Sequence, residues 1–223
     1  MPANRQIRKC PPAVFRNKTT KGKFFMGKLF GTDGVRGIAN KELTPELAFR
    51  LGKAGAQVLS YGNHQPVILI GKDTRISGDL LEDALASGIL AMGGSVIKVG
   101  ILPTPAIAYL VRYYHADAGV VISASHNPFE YNGIKFFSGD GFKLDDALEE
   151  RIEELVLAPG NIGEPVTGAQ IGRCLKADEA ALEHYTEFLK GTIDCDIRGM
   201  KLVIDCANGA SYKAAEAVYR DLG

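Results

Sequence analysis

The run Ser123-Ala124-Ser125-His126-Asn127-Pro128 is the densest group of polar and turn-forming residues in the sequence. It follows the apolar run 118–122, and an α/β sheet presents its ligand site outside the carboxyl ends of its strands. A serine hydroxyl at that place carries a phosphoryl group or acts as a nucleophile, so Ser125 is the first candidate. Asn127-Pro128 and Asn132-Gly133 each predict a turn, with an exposed loop between them. Lys135, on the next extended stretch, would bring a cation back to that loop. Ser125 and His126 are neighbours, which raises a serine hydrolase as one reading. Two arguments oppose it. Adjacent side chains of an extended segment point to opposite faces, and no G-x-S-x-G elbow surrounds the serine. The plain alternative is that Ser, His and Asn only cap the turn.

Two further clusters carry polar chemistry. Gly31-Thr32-Asp33-Gly34-Val35-Arg36-Gly37 has three glycines in seven residues, a backbone able to approach a ligand closely. Arg36 adds a planar fork suited to phosphate. Taken alone, this is also what a Gly-rich turn with a surface arginine looks like. Gly71-Lys72-Asp73-Thr74-Arg75-Ile76-Ser77-Gly78 joins a strand pattern to a helix start, but Asp73 after Lys72 rules out a P-loop. Ser77 is expected as a helix cap, and Asp73 and Arg75 as a pair bracing the loop.

The elements that would position these residues alternate along the chain. Thr44-Pro45-Glu46 is a helix start, with Leu47, Leu51, Ala54, Val58 and Leu59 at helical spacing behind it. Residues 66–71 read as a buried strand, and Leu81, Leu85, Ile89 and Met92 as a second helical face ended by Gly93-Gly94. Strands are expected at 96–99, 118–123 and 133–137, a helix at 104–113, and an acidic helix from Asp145 with Leu148, Ile152, Leu155 and Val156 facing inward. Strands alternating with helices predict an α/β fold, a mixed, largely parallel sheet flanked by helices. The first domain is placed at 26–157 and a linker at 158–177. Residues 178–223 are then the incomplete start of a second domain, with a helix at 178–190, a strand at 201–205, a turn at 207–210 and a helix at 211–222.

Composition narrows the class. With 223 residues, 46% hydrophobic and 23% charged, the chain is neither disordered, collagen-like nor a disulfide scaffold. No uncharged run reaches the roughly 18 apolar residues of a membrane span. The net charge is zero, yet seven basic side chains and no acid fall within residues 1–25. That leaves 19 basic against 26 acidic side chains from residue 26 onward, so the body has no electrostatic footprint for nucleic acid. The four cysteines are too scattered for a metal knuckle or a redox pair, which fits reduced thiols in the cytoplasm. The basic segment 1–25 is read as an extension that is disordered or not native. Translation starting at Met26 is the favoured reading, with a basic arm and a transit peptide as alternatives.

Taken together and in this order, the three clusters resemble the α-D-phosphohexomutase superfamily. Ser125-His126-Asn127-Pro128 with Asn132-Gly133-Ile134-Lys135 is similar to its phosphoserine loop. Phe30 to Gly37 and Lys72 to Gly78 resemble its bacterial phosphoglucosamine mutase branch, and Val203 to Ala210 the start of the superfamily's second domain. The resemblance runs from about Lys28 to Gly223. It implies interconversion of glucosamine 6-phosphate and glucosamine 1-phosphate, on the route to cell-wall sugar nucleotides, through a phosphoserine and a bound bisphosphate. It implies Ser125 as the phosphoryl carrier, Arg36 and Lys135 as the surrounding cations, and His126 as a loop-orienting or phosphate-contacting group. Gly34, Asn127 and Arg75 are implied as substrate or phosphate contacts.

The implied cofactor is Mg²⁺, held by one phosphoserine oxygen and three aspartates, because a phosphoserine carries about −1.5 to −2 charges. The implied partner is a small sugar phosphate, with neither nucleic acid nor membrane, and a homodimer is left open. The sequence departs from the pattern in one respect: no D-G-D-G-D-R loop occurs before Gly223, so only Ser125 of the metal ligands is present. A 223-residue fragment is therefore expected to be inactive alone. A phosphomannomutase or phosphoglucomutase is the alternative within the class, and a non-enzymatic truncated product the alternative outside it.

Overall fold

The computed structural model describes residues 29–31, 33–62, 64–175 and 180–223. The basic segment 1–25, the Met26 start and the first residues of the helix expected at 178–190 lie outside them. Strands β1 (Val35–Ile38), β2 (Val67–Lys72), β3 (Ser95–Ile101), β4 (Ala118–Ile122), β5 (Tyr131–Ser138) and β6 (Cys174–Leu175) form one sheet in the order β1-β5-β4-β2-β3-β6. β4, β2, β3 and β6 run parallel, while β5 and then β1 add antiparallel at one edge. The predicted mixed, largely parallel sheet is therefore present.

Burial explains the topology. Every residue of β4 is buried, as expected for a central parallel strand covered on both faces. Ile68, Ile70, Val120, Ile134 and Phe136 face a core closed by α1 (Pro45–Leu59), α2 (Ser77–Ala91) and α4 (Asp146–Leu157). Leu69, Val121 and Phe137 face the opposite core, beneath α3 (Thr104–Tyr113). Thr44 caps α1 as its residue type predicts, its Oγ1 accepting from the Leu47 N–H at 3.2 Å. Helices α1 and α2 cross so closely that a Cβ on Gly52 would lie 2.2 Å from the Leu85 carbonyl oxygen. Gly52→Val is thus expected to force the two backbones apart. Overpacking of this kind costs about 3 kcal/mol or more, readable as a lowered urea midpoint in equilibrium unfolding.

Several expectations change on meeting the structure. Ser77 is the first residue of α2 and not its cap; Ile76 holds the cap position, and the Ser77 hydroxyl instead accepts from Asn132 Nδ2 at 2.9 Å. Asn132-Gly133 forms no turn. Both lie in β5, opposite Gly37 and Arg36, and the chain turns earlier, where the Tyr131 N–H reaches the Pro128 carbonyl at 3.0 Å. Within the segment read as a linker, β6 pairs with β3, and Val166 and Gly172 donate to the last carbonyls of α2. Residues 201–205 are not a strand: Leu202, Val203 and Ile204 are exposed. Strand backbone needs a neighbour to receive its hydrogen bonds, and among the described residues none lies beside this run. Helices α5 (Ala181–Lys190) and α6 (Tyr212–Asp221) nevertheless have a core to join, because Ala181, Tyr185 and Ala214 pack with α3.

Candidate active site

The parallel strands deliver three loops to one edge of the sheet. β2 ends at Lys72, β3 at Ile101 and β4 at Ile122, and the residues that follow each of them wall a cavity of about 880 Å³. Its lining includes Asp73, Arg75, Pro103, Ser123, Ser125 and Asn208. The starts of three helices border it: Ile76 before α2, Thr104 in α3 and Ser211 before α6. Helix N-termini present unpaired N–H groups and partial positive charge, so the cavity favours an anion.

Ser125 stands at the tip of the β4–β5 loop. The loop leaves the sheet where the Ser123 N–H donates to the Gly133 carbonyl at 2.9 Å. Ala124 is buried, whereas Ser125 and His126 are exposed. Ser125 adopts φ 56°, the left-handed region that non-glycine residues rarely occupy. That conformation overturns the expectation that Ser125 and His126 point to opposite faces, which assumed extended backbone. Ser125 Oγ lies 3.3 Å from His126 Nδ1, close enough for His126 to orient the hydroxyl.

Arg75, expected to contact phosphate, is engaged elsewhere. Its Nε donates to Asp73 Oδ2, its Nη1 to the Pro128 and Tyr131 carbonyls, and its Nη2 to the Ser125 and Asn127 carbonyls, all between 2.7 and 3.0 Å. A guanidinium has five N–H donors, and all five are used here. Asn127 likewise serves the loop: its carbonyl accepts from Arg75 and its N–H reaches the Ala124 carbonyl at 3.1 Å.

Arg36 and Lys135 form a second group on adjacent strands. Arg36 on β1 stands opposite Gly133, and Lys135 follows two residues along β5. Asp33 draws the two cations together, 3.4 Å from Arg36 Nη2 and 3.7 Å from Lys135 Nζ. Gly34 makes this placement possible. It has φ 82°, and a Cβ there would lie 2.3 Å from the Ile134 carbonyl oxygen. Its close approach is therefore to β5 itself, which presses the Asp33–Arg36 turn against the strand carrying Lys135. Sequence reasoning did not assign Asp33 a partner, although its spacing of three from Arg36 was visible.

Lys72, which opens the second motif, is held at the base of α2. Burial opposes its charge, but the hydrogen bonds that its ammonium donates to Asp79 and Glu82 outweigh that and raise its pKa above the ordinary lysine value. Two contacts lay beyond sequence reasoning. The Thr74 hydroxyl donates to the Asn208 carbonyl, and Ala207 and Asn208 both have positive φ, which turns this late segment toward the Ser125 cavity.

A family model described as phosphoglucomutase/phosphomannomutase, alpha/beta/alpha domain I, matches residues 27–161, more than half of the chain. The chain belongs to the phosphoglucomutase/phosphomannomutase family. Curated relatives sharpen the kinship. A phosphoglucosamine mutase of Clostridium novyi (strain NT) is 59% identical over 198 residues, covering 89% of this chain and 44% of the relative. One from Caldanaerobacter subterraneus is also 59% identical over 198 residues, with the same coverage. A solved phosphoglucomutase/phosphomannomutase family protein of Burkholderia thailandensis superposes with a TM-score of 0.72 at 28% identity, over 90% of this chain and 43% of that one. The chain thus spans less than half the length of the curated relatives it matches.

The magnesium ion implied by the resemblance can be tested against the family domain's own side chains. Among the described residues, no group of three or more His, Cys, Asp or Glu could hold a metal ion. The nearby carboxylates are already engaged, Asp33 with Arg36 and Lys135, and Asp73 with Arg75 and Ser123. The residues present do not make a magnesium cage. Among the described residues, no helix is long and apolar enough to cross a membrane.

Proposed function

We propose that the natural polypeptide carrying this sequence is a phosphoglucosamine mutase in which Ser125 carries the phosphoryl group. In the forward direction the bond between phosphorus and Ser125 Oγ breaks while a new one forms to the free hydroxyl of glucosamine 6-phosphate. Lys135 is assigned the proton relay, its ammonium giving a proton to the departing Ser125 Oγ and taking up the hydroxyl proton in its place. The resulting bisphosphate turns over, and its 6-phosphate returns to Ser125 Oγ, leaving glucosamine 1-phosphate as the 6-hydroxyl takes back a proton. Phosphoryl transfer demands positioning and charge neutralisation more than covalent assistance. Arg36 and Lys135 supply the cations, and His126 orients the Ser125 hydroxyl.

One observation carries this reading: Ser125 is exposed at the tip of a braced loop, on a cavity bordered by three helix N-termini. The curated relatives' name supports glucosamine phosphate as the substrate. The test compares turnover of glucosamine, glucose and mannose 6-phosphates by the natural polypeptide with Mg²⁺. Glucosamine 6-phosphate is expected to give the highest kcat/KM. Preference for glucose or mannose phosphate would move the protein to the phosphoglucomutase or phosphomannomutase reading.

A further inference from the structure

We infer that Arg75 and Asp73 form a clamp that holds the backbone of Ser125 from both sides and so fixes where its hydroxyl stands for phosphoryl transfer. This deepens the proposed function and rests on Ser125 as the phosphoryl carrier. On one side, Arg75 Nη2 donates to the Ser125 carbonyl at 3.0 Å. On the other, the Ser125 N–H donates to Ser123 Oγ at 3.0 Å, and Ser123 Oγ donates to Asp73 Oδ2 at 2.6 Å. The same Asp73 carboxylate accepts from the Arg75 backbone N–H and from Nε, both at 3.0 Å. Asp73 is itself tied to the sheet, its N–H donating to the Ile122 carbonyl at 3.0 Å. Both polar groups of the Ser125 backbone therefore end on one ion pair rooted at the ends of β2 and β4.

The physics suits a clamp better than a ligand. The two side chains are 10% and 12% exposed, so they are screened weakly and a guanidinium with unused donors would be costly there. Each Arg75 N–H meets an acceptor within the protein, which leaves none directed at a substrate phosphate. Four of the acceptors are carbonyls spread over the loop from Ser125 to Tyr131. A planar fork can reach such a spread and a lysine ammonium cannot. The clamp also explains how Ser125 keeps its left-handed conformation, which persists only where the surroundings over-determine it. Arg75 is in this sense a positioning residue.

The test uses the natural polypeptide with Arg75→Lys, Asp73→Asn, their double variant and Ser123→Ala. Hydrogen exchange is read on peptides covering 123–131, and kcat and KM for glucosamine 6-phosphate are measured separately. In Arg75→Lys, the loop peptides are expected to exchange about 10-fold faster or more, the loss of roughly one net hydrogen bond. Peptides from β2 and β4 should keep their wild-type rates. The kcat should fall about 100-fold, the scale of a misplaced reacting group, with KM within about threefold. Asp73→Asn should show the same pattern, and the double variant should be no worse than the poorer single one, because both act through one unit.

Unchanged loop exchange would overturn the clamp. So would a KM that rises as steeply as kcat falls while Asp73→Asn is silent, since that is the pattern of a direct phosphate ligand. If Arg75→Lys fails to fold, Ser123→Ala decides, with an expected fall in kcat of about 10-fold and faster loop exchange. If the wild-type protein turned over no hexose phosphate, the mutase reading would fall, and the exchange pattern would still decide the clamp.

Discussion

Ser125→Ala is expected to lower mutase turnover by about 10⁴-fold or more, the scale seen when a covalent carrier is removed. The protein should remain folded, because Ser125 is exposed and its hydroxyl touches only the neighbouring His126 among the described residues. Exposed substitutions of this kind change stability by about 0.5 kcal/mol or less. The loop should keep its shape as well, since Arg75 and Ser123 hold the Ser125 backbone and not its side chain. A coupled assay for product formation, run beside a thermal melt, checks both halves. Near-normal turnover in Ser125→Ala would remove the serine from the chemistry altogether.

Lys135→Met should have the second-largest effect, a fall in kcat of about 10² to 10³-fold, typical of losing one preorganised charge at a site of developing charge. The methionine keeps the apolar stem, so the packing beside the Phe137 ring, 5.6 Å from the ammonium, is largely preserved. The ion pair with Asp33 is long and half-exposed, a geometry that contributes at most about 1 kcal/mol to stability. Steady-state kinetics at several pH values measures the effect. Turnover within about twofold of the wild type would remove Lys135 from the chemistry.

Much of the fold was legible because the pattern was local. Ile68 to Ile70 and Ala118 to Ile122 are continuous apolar runs, and they became the central parallel strands. Thr44-Pro45-Glu46 started a helix in the way those side chains dictate. Failures occurred where distant partners decided the outcome. Asn132-Gly133 has turn chemistry, yet pairing with β1 and the Ser77 hydroxyl drew it into a strand. Val203 and Ile204 have strand chemistry, yet without a neighbour they remain exposed coil.

The candidate site divides in the same way. Ser125 stood out as a candidate by residue type and by its place at a strand end. Arg75 was recognisable as a phosphate-type side chain, but the carbonyls that occupy it lie some 50 residues away in sequence. Its role depends on the fold having brought them together. Asp33 and the Asn208 turn were invisible as site elements for the same reason, their contacts being set by the approach of β5 and of the segment before α6.

Whether Ser125 is the phosphoryl carrier is decided by phosphopeptide mapping of the natural protein from its source cells. Phosphate is expected on the peptide containing Ser125, exchanging with the phosphate of added glucosamine 6-phosphate. Active protein whose phosphate sits on another residue, or that carries none at any stage of turnover, would contradict it.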